Sequence, residues 1–110
     1  MTVTAADVLR GAMERITPEG AWIQGEASRF ASSTHPAGSC STDAMFYAME
    51  RLGIVNQPTS VGLVAFKAFK QAIDLPIDGN IPDWNDDPSR THEDVLLAFK
   101  RAIEIAEESR

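Results

Sequence analysis

Apolar residues recur at helical spacing in four stretches of the chain. Thr4-Ala5-Ala6-Asp7 has the spacing of a capping box with Asp as its acidic member, and Ala5, Val8, Leu9, Ala12, Met13 and Ile16 follow up to Pro18. This predicts a first helix over about residues 4 to 16. Ser39, Ser41 and Thr42 offer N-caps for a second helix through Ala44, Met45, Ala48, Met49 and Leu52, ended by Gly53. Pro58 and Thr59 open a third segment, Val61 to Ile73, in which Val61, Leu63, Val64, Phe66, Phe69 and Ile73 cover a wide arc. Only Lys67, Lys70 and Gln71 are strongly polar there, so it should be the most buried helix; a strand at Val61 to Phe66 competes with it. Thr91-His92-Glu93-Asp94 then caps a last helix that buries Val95, Leu96, Phe99, Ala102, Ile103 and Ala106 and shows Lys100, Arg101, Glu104, Glu107 and Glu108 to water.

Two connectors separate these helices. Between Thr17 and Ser39 the breakers Pro18, Gly20, Gly25 and Pro36 leave no long apolar period, while Ala21-Trp22-Ile23 and Arg29-Phe30 suggest a loop that packs down. A second connector, rich in Pro, Gly and Asp, runs from Leu75 to Arg90. The expectation is an all-α fold: about four helices in a small bundle, one domain over 1–110, with two long irregular loops and no internal repeat. Phe66, Phe69, Leu96, Phe99 and Ile103, the largest apolar residues on the facing stripes, should fill the core between the last two helices.

Composition narrows the classes. At 110 residues and 44% hydrophobic, the chain can bury a core without metal or disulfide staples, and its single Cys excludes an intrachain disulfide framework. No apolar run approaches the ~20 residues that cross a bilayer, and the N-terminus lacks a signal-peptide pattern, so a cytoplasmic protein with no membrane partner is expected. Charge is unevenly placed. Asp74, Asp78, Asp83, Asp86, Asp87, Glu93 and Asp94 share one segment with a single base, Arg90, and that segment carries the whole net charge of −6. Such a patch favours a basic partner and argues against direct binding to a nucleic-acid backbone. Acids at polar turns and helix starts also stabilise those structures by themselves.

Candidate chemistry is sparse. A thiol at a helix N-terminus has its pKa lowered, and Gly38-Ser39-Cys40-Ser41 loosely resembles the nucleophile helix of papain-like and cell-wall peptidases. His35 or His92 would then be the base, with Asn85, Asp86 or Asp94 orienting it. Those folds place the His on a strand, however, and no run of strands follows Cys40. Asp83, Asn85, Asp87 and Asp94 fall in the register of a calcium loop, but its glycine position is Pro88, which cannot adopt the positive φ required. A zinc site from His35, His92 and Cys40 would need assembly from distant loops. No metal and no cofactor are therefore expected. Trp22 and Trp84 sit in loops, where an indole either anchors the loop to the core or serves as a binding hot spot.

Several motifs taken together have a familiar order. Trp22-Ile23-Gln24-Gly25 with Arg29, Cys40 opening an Ala-rich helix, and Ile81-Pro82-Asp83-Trp84-Asn85-Asp86 running into Thr91-His92-Glu93-Asp94-Val95-Leu96 resemble a family of small actinobacterial and phage domains of unknown function. The resemblance departs after Cys40, where the family has a more apolar Cys-x-x-Gly-Ala run and this chain has Ser-Thr-Asp-Ala, so no role for Cys40 carries over. The resemblance implies a helical fold, a cytoplasmic setting and a phage or prophage origin, with no established activity or cofactor. From the residues themselves, the expected function is a small acidic protein-binding module; with the phage or prophage origin that the resemblance implies, it would be an inhibitor of a host nucleic-acid-binding or defence protein. Asp78, Asp83, Trp84, Asp86, Asp87 and Trp22 would form its surface. Self-association and a Cys40 hydrolase are the alternatives.

Overall fold

The structure is a computed structural model and describes residues 3–24, 38–54, 60–76 and 78–108. Its helices are α1 (Ala5–Ile16), α2 (Ser41–Arg51), α3 (Ser60–Ala72), the short α4 (Ile81–Asn85) and α5 (His92–Glu108). The domain is all-α. Among the described residues the one β-type pairing is an isolated parallel bridge between Trp22 and Ser39, and the segment Val61 to Phe66 lies within α3 rather than in a strand.

Both expected capping boxes form. Thr4 Oγ1 accepts from Asp7 N at 3.2 Å while Asp7 Oδ2 accepts from Thr4 N at 2.9 Å. At α5, Thr91 Oγ1 accepts from Asp94 N at 3.1 Å and Asp94 Oδ2 accepts from Thr91 N at 3.0 Å. Each box satisfies donors that the helix itself leaves open. At α2 the cap is Cys40 rather than Ser39, Ser41 or Thr42: its Sγ accepts from Asp43 N at 3.4 Å. The serines are buried and used elsewhere, which leaves the thiol at the capping position.

α1 lies at the centre, packed against α2, α5 and α3, while α3 also packs on α5. Val8, Leu9, Ala12 and Ile16 of α1 are fully buried. Gly11 brings α1 close to α2, since a Cβ there would stand 3.0 Å from Ala48 Cβ. Phe69 and Phe99 are fully buried with ring centroids 4.7 Å apart, and Phe66, Leu96 and Ile103 flank them half-buried. The expectation that the third helix is the most buried does not hold. Its inner face is small, with Gly62, Ala65 and Ala68 beside Phe69, whereas Leu63 is 65% exposed and Val64 is also exposed. Helical geometry turns those two away from the core.

The second connector is more structured than expected. Residues Leu75 to Arg90 contain α4, capped by Asn80 Oδ1 accepting from Asp83 N at 3.1 Å, with Pro82 in the first turn. The first connector is tied to the start of α2 by two backbone bonds, Ile23 N to Ser39 O at 3.2 Å and Ser39 N to Ala21 O at 2.8 Å. Gly38 makes this approach possible. Its φ is +127°, and a Cβ would lie 2.1 Å from Ala21 O.

Candidate functional site

The acidic segment is held by one buried side chain. Asn85, the last residue of α4, is fully buried, and its Oδ1 accepts from Trp22 Nε1 at 2.7 Å, Ser41 N at 2.9 Å and Ser41 Oγ at 2.7 Å. Its Nδ2 donates to Ile23 O and to Asp86 Oδ1, each at 3.1 Å. Gln24 Nε2 closes the cluster by donating to Asn85 O at 2.8 Å and Asp87 O at 2.9 Å. A buried amide that meets partners on both its oxygen and its nitrogen rigidifies what it joins. Here it joins α4, the N-terminus of α2 and the first connector. The partners of Asn85 thus lie at α2 and Trp22-Ile23, while α5 satisfies its own N-terminus through Thr91 and Asp94.

Both tryptophans take part in this anchoring. Trp22 stacks on His92 with centroids 6.0 Å apart and planes at 10°. His92 Nε2 donates to Ile16 O, tying the start of α5 to the end of α1. Trp84 meets Phe69 edge-on at 5.6 Å, and the Arg90 guanidinium covers its ring at 4.0 Å while Arg90 Nε donates to Trp84 O. Each indole is half-buried.

Outside this frame the carboxylates diverge. Asp78, Asp83 and Asp87 are exposed, whereas Asp86 is half-buried against Asn85. Ser89 N and Oγ both donate to Asp87 Oδ1 (2.9 and 2.7 Å), and these bonds, with Arg90 nearby, hold its carboxyl below the ordinary Asp range. Asp87 therefore keeps its charge into mildly acidic solution.

The thiol is the opposite of an activated one. Cys40 is 6% exposed, and burial pushes its pKa up from 9.0 to about 11 against the smaller lowering effect of the Asp43 backbone bond. The Asp43 carboxylate adds to the rise. The expected lowering at a helix N-terminus is overturned because desolvation of the thiolate outweighs the first-turn N–H groups. His92, the proposed base, has its ring on Trp22 and its Nε2 on Ile16 O, and no hydrogen bond joins it to Cys40. His35 lies outside the described residues. Among the described residues no group of three or more His, Cys, Asp or Glu side chains is placed to hold a metal ion, and no helix is long and apolar enough to cross a membrane.

These features define a small helical domain whose two sequence motifs, Trp-x-Gln and Trp-Asn-Asp, are halves of one polar cluster. The chain belongs to a family of unknown function, DUF6197, whose model matches residues 1–105. No curated protein matches it, and no solved structure does.

Proposed function

We propose that the protein is a binding module that presents a preformed acidic face to a basic surface on a protein partner. The observation that carries this reading is the contrast within one segment: Asn85 is buried and fully bonded, while Asp78, Asp83 and Asp87 around it stand exposed. A carboxylate on a rigid support loses little freedom on binding, and like charges grouped on one face steer a basic partner. A partner of this kind is one whose basic groove otherwise takes a nucleic-acid backbone, and a phage or prophage inhibitor of a host protein is the setting proposed for it. Capture from lysate followed by mass spectrometry, repeated at rising salt, tests the proposal. The expected result is a basic protein released by moderate salt and lost with the Asp78→Asn/Asp83→Asn/Asp87→Asn variant. Capture insensitive to both salt and neutralisation would overturn it, and a concentration-dependent dimer on sizing, with no captured protein, would replace it with self-association.

A further inference from the structure

Arg90 is the one base in the acidic segment 74–94, and it lies on the segment's own tryptophan. Its guanidinium stands 4.0 Å from the centre of the Trp84 ring, its Nε donates to Trp84 O at 3.0 Å, and Phe69 braces the same indole edge-on at 5.6 Å. The ring thus offers a face to a planar cation. Beside it, Asp87 Oδ1 accepts from Ser89 N and Ser89 Oγ at 2.9 and 2.7 Å, while Oδ2 faces Arg90. That second oxygen is 4.0 Å from Arg90 Nη2, within ion-pair range and beyond hydrogen-bond length. The pair is incomplete.

The two residues share one tight turn, closed by Arg90 N donating to Asp87 O at 2.9 Å. From the end of that turn the Arg90 side chain meets the ring and the Trp84 carbonyl but falls short of the carboxylate. A guanidinium arriving from outside has no such tether, so it can lie on the indole and donate to Oδ2 together. Arginine suits the place better than lysine, because a weakly hydrated planar fork stacks on an aromatic face while an ammonium keeps its water. Arg90 also has room to move aside. A cleft of about 350 Å³ adjoins the ring, lined by Arg90 and Trp84 with Asp74, Asp94, Leu97 and Arg101. The side chains of Arg90 and Asp87 are 22% and 47% exposed, so exchange needs no opening of the core.

We propose that the Trp84 ring face with Asp87 Oδ2 is an arginine-binding subsite of the acidic face, and that Arg90 holds it closed until an arginine of the partner takes its place. The subsite rests on the acidic face being a recognition surface, and it adds which partner side chain is selected and which internal one competes.

NMR titration of the whole chain with hexa-arginine and with hexa-lysine at constant ionic strength, read at the Trp84 indole N–H, is the test. Hexa-arginine should move this signal saturably and bind more tightly than hexa-lysine, which should leave it in place. Arg90→Ala should tighten hexa-arginine by about tenfold. It should tighten hexa-lysine no more than Lys100→Ala does, which removes the same charge from an exposed position of α5. Arg90→Lys keeps the charge and loses the fork, so it should also tighten hexa-arginine, and it carries the comparison if Arg90→Ala does not fold. Salt-dependent binding of both peptides, with no preference for arginine and no gain in the Arg90 variants, would overturn the subsite and leave the acidic face standing. Binding of neither peptide to any form would overturn both.

Discussion

Replacing Asn85 with alanine removes the acceptor of Trp22 Nε1, Ser41 N and Ser41 Oγ together. A buried donor left without a partner costs about 1 to 3 kcal/mol. The Ser41 N–H is fixed by the first turn of α2 and carries the full cost. The Ser41 hydroxyl can rotate and the half-buried Trp22 can reach water, so each counts at about half, giving a loss of about 2 to 6 kcal/mol. Against a total stability of about 5 to 15 kcal/mol, that is a large share. Trp22→Phe is the informative comparison: it keeps a ring beside His92 and leaves Oδ1 with both Ser41 bonds, so it should cost about 0.5 to 1.5 kcal/mol for its hydrogen bond. Urea unfolding followed by far-ultraviolet circular dichroism measures both, and the double variant should lose less than the sum, because the Trp22 bond is already gone in Asn85→Ala. Stability of Asn85→Ala within about 0.5 kcal/mol of wild type, or full additivity, would refute the role given to the cluster.

Phe99, fully buried against Phe69, should cost about 3 to 5 kcal/mol on truncation to alanine, read from the shift of the urea midpoint. Thr91→Ala removes one half of an exposed capping box and should cost about 1 kcal/mol in the same assay. Cys40 should alkylate slowly with iodoacetamide at pH 8. A pKa of about 11 instead of 9.0 lowers its thiolate fraction about a hundredfold, before burial is counted, and labelling at the rate of a free thiol would contradict this. The same raised pKa makes Cys40's contribution to stability full below pH 9; it falls as the pH rises through 9 towards 11, because the unfolded chain then loses the proton first.

Local signals were readable wherever a single helix decides the outcome. The Thr4 and Thr91 capping boxes follow from a spacing of three residues, the breaks at Pro18 and Gly53 from single residues, and the burial of Phe69 and of Phe99 from the apolar stripe of the helix that carries each. The exposure of Leu63 and Val64 was not readable, because a helix apolar on most of its surface gives no direction for its buried face. The anchoring role of Asn85 was not readable either, because its partners Ser41 and Trp22 lie 44 and 63 positions away, and polar pairing at such distance leaves no periodic trace. The raised pKa of Cys40 is not legible for a similar reason: its place at a helix start is local, while the burial that raises its pKa is tertiary.

Anchoring and exposed groups are separated within residues 78–87, and the acidic face depends on that separation. Thermal unfolding and partner binding against salt, measured together for Asp78→Asn/Asp83→Asn/Asp87→Asn, address it directly. Because these carboxylates are exposed, and the Asp87 bonds to Ser89 can be kept by an Asn oxygen, the variant should melt close to the wild-type temperature while its binding weakens and loses its salt dependence. A lower melting temperature with binding unchanged at every salt concentration would show that the carboxylates serve the fold and would contradict the acidic face as a recognition surface.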